Sequence, residues 1–132
     1  MELAPDLFEQ IIGYRTIGFD GYRDEKRLVA RAPLSFRSTL LRIHAQSVIG
    51  APLATRVREL SSRGISIVHR EPLRTGSAFA VQLPRRQADP VWALYIVTRS
   101  RAIPAAGYVI GGCYQRVIGV RRHDREVHTH AG

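Results

Sequence analysis

From Leu34 to Val120 apolar and polar residues alternate with a period of two, the pattern of strands with one face in a core and one in water. Six runs carry it: Leu34 to His44, Thr55 to Leu60, Ile65 to Arg70, Ala78 to Leu83, Val91 to Ala102 and Tyr108 to Val120. Turn-forming residues separate them at Gly50-Ala51-Pro52, Ser62-Arg63-Gly64, Glu71 to Gly76, Ala88-Asp89-Pro90 and Pro104 to Gly107. Six strands at hairpin spacing predict a mainly β fold, a six-stranded antiparallel barrel, because closure removes the edges an open sheet would expose. Phe79, Val81 and Leu83 share one face of their run. Trp92, Leu94 and Ile96 alternate with Ala93, Tyr95 and Val97, so that run is apolar on both faces and needs a cover on its outside.

Ahead of the barrel the period changes. Between Leu3 and about Tyr14, Leu7, Phe8, Ile11 and Ile12 fall on one helical stripe, with Pro5 and Asp6 suited to the first turn. So short a helix must pack on something, and the outer face of the two-sided strand is one candidate. The predicted organisation is an amphipathic helix over 1–15, an arginine-bearing linker over 16–32, the barrel over 33–120 and a flexible basic tail over 121–132. The tail is His-rich and has no apolar period.

Charge narrows the class of partner. The chain of 132 residues carries 20 Lys and Arg against 11 Asp and Glu, a net charge of +9, and every cation except Lys26 is an arginine. Guanidinium offers two parallel donors and a stacking face, which suits a planar or multiply charged anion. Cys113 is the single cysteine, so neither an internal disulfide nor a multi-cysteine zinc site can form. The start of the chain is acidic without an apolar run, and no segment has the length of a membrane span. A cytoplasmic location with no membrane partner is the expectation.

Two short elements carry candidate chemistry. Arg27 and Arg31 lie four apart just ahead of Pro33, which disfavours helix at Ala32 and extends the chain there. Arginines on such a strap can pair bidentately with phosphate or with guanine O6 and N7, and can stack on a purine. Downstream, Glu59-Leu60-Ser61-Ser62-Arg63-Gly64 sits between two strands. Its carboxylate can accept from guanine N1–H and N2–H together, its serine supplies a hydroxyl, and its glycine permits a positive φ or a close approach.

An RxxxR element followed by an acid-x-Ser-x-x-Gly turn resembles the PilZ family. Arg23 and Arg27 have the same spacing, but the family's second arginine comes just before the proline and first strand, which favours Arg27 and Arg31. The similarity spans about Lys26 to Val120 and includes the Pro72-Leu73-Arg74-Thr75-Gly76 turn. It departs at Glu59, where the family has Asp or Asn, a shift of the carboxylate by one methylene. The resemblance implies a receptor for cyclic di-GMP, with Arg27 and Arg31 as a clamp and Glu59, Ser61 and Gly64 as the barrel-side wall. It also implies a protein partner switched by the ligand, with no cofactor beyond it.

Other classes are less well served. His44, His69, His123, His128 and His130 include a tail cluster, but a soft tail cannot preorganise catalysis, and Cys113 has no neighbouring histidine in sequence. No P-loop or GxSxG motif occurs, so neither catalytic nor metal-binding residues are assigned. The alternatives are a basic barrel that binds RNA or single-stranded DNA, which would need exposed aromatic rings, and a protein-binding scaffold without nucleotide.

Overall fold

The computed structural model describes residues 1–16, 32–105, 107–120 and 127–129. Helix α1 (Pro5–Thr16) precedes strands β1 (Ala32–His44), β2 (Ser47–Leu60), β3 (Gly64–His69), β4 (Ala78–Arg85), β5 (Ala88–Ile103), β6 (Gly107–Val120) and β7 (Val127–Thr129). All pairings are antiparallel, in the order β3-β2-β1-β4-β5-β6, and β3 pairs with β6 to close a six-stranded barrel. The predicted barrel with one short N-terminal helix is therefore the observed fold. The basic tail is a partial exception, since Val127–Thr129 pairs with Ile118–Val120 at the end of β6.

Alternation is what fills the barrel. Phe79, Val81 and Leu83 of β4 face Val91, Ala93, Tyr95 and Val97 of β5 inside one buried cluster with Phe36, Leu40, Val57, Ile67 and Ile110. Leu3, Phe8, Ile11 and Ile12 belong to the same cluster. Helix α1 packs on β4 and β1, and its Gln10 carbonyl accepts from Arg86 N–H at 3.0 Å. The helix thus closes one end of the barrel, at the β4–β5 turn, and does not cover the outside of β5. That outer face makes a second cluster, Leu41, Ile43, Ala80, Leu94 and Ile118, flanked by Val48, Ala78, Trp92 and Val120. The two-sided strand is covered by its own neighbours' outward side chains.

Two turns fall elsewhere than their sequence suggests. β2 runs straight through Gly50-Ala51-Pro52, and the reversal is the two-residue loop Ala45-Gln46 between the paired His44 and Ser47. Both loop residues have positive φ, 50° and 65°, as the twist-matching hairpin turn requires. Neither is the Asn or Gly that normally marks such a turn, so nothing in the sequence announces it. At the other site the turn is Arg86-Gln87, ahead of Ala88-Asp89-Pro90, which opens β5.

Tyr95 has no exposed surface, and its ring lies between Phe79 and Tyr114, with centroids 5.7 and 5.8 Å away. Its hydroxyl meets no hydrogen-bond partner among the described residues, and burial pushes the phenol far above its ordinary pKa of 10. An unpaired buried hydroxyl carries a desolvation penalty without return. Tyr95→Phe is therefore expected to raise stability by about 1 kcal/mol, read as an increased thermal midpoint. A lowered midpoint would mean that the hydroxyl is satisfied.

Candidate functional site

The Glu59–Gly64 segment is the tight link from β2 to β3. Ser61 N–H donates to the Gly64 carbonyl at 3.0 Å, and Gly64 N–H donates to Ser61 Oγ at 3.0 Å, so the serine hydroxyl helps to close the turn. The turn is tied to two other parts of the molecule. Tyr114 N–H donates to Arg63 O at 2.7 Å, Leu3 N–H donates to Ser62 O at 2.7 Å, and Arg63 Nε pairs with Glu2 Oε1 at 2.8 Å. Gly64 is required for closeness: a Cβ there would stand 2.9 Å from the Gly112 carbonyl oxygen of β6. Of the two roles its sequence allowed, close approach is the one realised, because positive-φ glycines are at 50, 76 and 107.

Irregular pairing shapes the surface above this turn. Val57 is buried, Arg58 exposed, Glu59 half-buried and Leu60 buried, and the β2–β3 register shifts between Val57 and Glu59. The extra residue turns both Arg58 and Glu59 outward and returns Leu60 to the core. A second shift, between Val97 and Arg99 in the β5–β6 pairing, does the same for Thr98 and Arg99, both exposed beside buried Val97. Both irregularities flank one groove, which Glu59, Ser61, Gly64, Ser66, Thr98, Arg99, Gly111 and Gly112 help to line.

The groove follows a row of backbone partners across four strands: Glu59 of β2 with Ser66 of β3, Ser66 with Gly111 of β6, and Gly111 with Arg99 of β5. Its ends carry opposite charges, Glu59 on β2 and Arg99 on β5. The cavity measures about 180 Å³ and is open to solvent. Drug-sized pockets run from roughly 300 Å³, so this one accommodates a ring system or a phosphate while the rest of a larger ligand lies outside it.

Glu59, Ser61 and Gly64 are thus brought together on one wall of the groove. Arg27 and Arg31 lie outside the described residues. Ala32, the covalent neighbour of Arg31, pairs with Leu60, so the strap joins the barrel next to the acidic turn. Sequence reasoning missed Ser66, Thr98, Arg99 and Gly111. A usable signal was the polar Thr98-Arg99-Ser100-Arg101 run inside an otherwise apolar strand.

The remaining candidate chemistry lies apart from the groove. His69 is 4% exposed, with Nδ1 3.2 Å from Thr55 Oγ1 and Nε2 unpartnered among the described residues. Burial lowers its pKa from the ordinary 6.5, with Arg42 and Arg70 adding to the shift and Glu71 opposing it. Cys113 is exposed, and among the described residues no three His, Cys, Asp or Glu gather in a metal-binding arrangement. The molecule is a closed antiparallel β-barrel with a helix at one end and a charged groove on its wall. No protein-family model, curated protein or solved structure matches the chain.

Proposed function

We propose that this chain is a PilZ-like receptor module that binds cyclic di-GMP in the groove and acts by altering a surface presented to a protein partner. The observation that carries the assignment is the meeting of Glu59, Ser61 and Gly64 at a solvent-open groove on a six-stranded barrel, beside the entry of the arginine-bearing strap. Glu59 accepts from a guanine edge, and Arg27 and Arg31 close over the ligand from the strap. The extra methylene of Glu59 places the acceptor further out than aspartate would, which weakens binding without removing the charge.

The switch follows from how the turn is anchored. Leu3 and Glu2 hold the N-terminal segment to Ser62 and Arg63, on the same turn whose Ser61 and Gly64 line the groove. Strain or closure at the turn on binding therefore reaches α1 through two contacts. A small displacement at the turn thus acts on an element packed into the main core through Phe8, Ile11 and Ile12.

Isothermal titration with cyclic di-GMP tests the assignment: saturable heat is expected, with GTP and cyclic AMP far weaker because neither presents two guanines on a cyclic phosphate ring. A second reading, nucleic-acid binding, is favoured by one observation. Arg37 and Arg56 are direct cross-strand partners on the outer face, and the same row continues through Val68 and Val109 to Arg101. Like charges opposite one another repel unless an anion bridges them. No heat with cyclic di-GMP, together with tight retention of a ribo-oligonucleotide, would select that reading.

A further inference from the structure

Gly111 leaves the middle of the groove without a side chain, and the neighbouring groups gather over that gap. A Cβ at Gly111 would lie 3.4 Å from Thr98 Oγ1, 3.8 Å from Arg99 Cβ and 3.9 Å from Arg99 Nε. The Arg99 guanidinium therefore lies along the bare backbone of β6. Thr98 donates its hydroxyl proton to the Gly111 carbonyl at 3.2 Å, which fixes the rotamer and keeps its oxygen at the groove. Ser66 stands on the other side of Gly111 as its backbone partner on β3. No carboxylate of the described residues lies within ion-pair distance of Arg99. The nearest acid on this row is Glu59, three strands away, or about 14 Å between backbones at normal strand spacing.

We propose that Arg99, with Ser66, over the open backbone at Gly111, forms a phosphate-binding subsite at the β5 end of the groove. Thr98 is its positioning residue. A guanidinium with two donors free for one anion, a hydroxyl within the same concavity and no side chain between them match a phosphate or pyrophosphate oxygen set. The arrangement gives the groove a direction. A guanine edge lies at Glu59 and the phosphate it carries lies towards Arg99, so the base and phosphate of one nucleotide occupy opposite ends of the row. This deepens the assignment of the groove to a guanine nucleotide and rests on it for the identity of the base, though not for the anion.

Three variants and two probes decide the matter. Arg99→Gln removes the charge from an exposed side chain. Gly111→Ala fills the gap at ordinary contact distances on a backbone without positive φ, and Arg101→Gln removes a neighbouring charge two residues along β5. All three should melt within a few degrees of the parent. Titrated with cyclic di-GMP, Arg99→Gln and Gly111→Ala are expected to bind roughly ten- to hundredfold more weakly, and Arg101→Gln within about twofold of the parent. Parent-like affinity in Arg99→Gln would overturn the subsite while leaving the groove's ligand in place. If the parent itself takes no cyclic di-GMP, the nucleotide assignment fails separately, and inorganic pyrophosphate followed by NMR decides the anion site. Saturable shifts of the Arg99 Nε and Gly111 amide signals, abolished by Arg99→Gln, support it. Their absence overturns it.

Discussion

Phe79→Ala is expected to lower folding stability by about 4 kcal/mol, the upper part of the range for truncating a fully enclosed aromatic side chain. Phe79 has no exposed surface, sits at the centre of the main cluster and stacks on Tyr95 with an interplanar angle of 20°. Rigid strands on both sides limit how far the space can collapse, which keeps the cavity term large. Its ring also supports the groove: a Cβ on Gly112 would come within 2.8 Å of it, so the ring lies directly beneath a residue of the groove floor. Against a typical total of 5 to 15 kcal/mol the loss is severe. Urea unfolding measures it, and a decrease below about 1.5 kcal/mol would mean that neighbouring side chains refill the site. In the fraction that stays folded the groove floor loses its backing, so ligand affinity falls as well.

Gly107→Ala is expected to cost about 3 kcal/mol or more for a different reason. Gly107 ends the β5–β6 turn with φ at 104°, a region closed to L side chains, and a Cβ there would be driven onto the His69 carbonyl oxygen. Gly76 provides the internal comparison. It has φ at 89° but nothing within 4 Å of a Cβ, so Gly76→Ala meets backbone strain alone, about 1 to 2 kcal/mol. The difference between the two midpoints in urea isolates the collision. Equal losses would show that β3 and the turn move apart easily. Gly107 lies at the barrel end away from the groove, so the folded fraction of this variant should bind as the parent does.

The barrel was legible because its information is local and repeated: each strand carries its own alternation, and Phe79, Val81 and Leu83 announce an inward face without reference to any partner. The helix was legible as a helix, but its destination was not, since the stripe of Phe8, Ile11 and Ile12 fits the outside of β5 as well as the barrel end. What decided it was the contact of Leu3 with Ser62 and of Gln10 with Arg86, both between residues far apart in sequence. Half of the groove was visible for the same reason that the strands were. Glu59, Ser61 and Gly64 are close along the chain and form one turn. Ser66, Thr98, Arg99 and Gly111 meet only through the β2–β3, β3–β6 and β5–β6 registers, and a register that contains a shift cannot be counted out from a pattern of period two.

Both charged ends of the groove stand where a strand carries one residue more than its neighbour. In a barrel of uniform pairing the chain around 59 would turn its carboxylate into the oil and push Leu60 into water, and the chain around 99 would hide either Thr98 or Arg99. The chemistry of this wall is therefore written in chain length as much as in residue identity. Single-codon deletions near Arg58 or Thr98 are a route by which a lineage can silence the groove while retaining every residue type it is made of, and insertions are the route by which a plain barrel can acquire one.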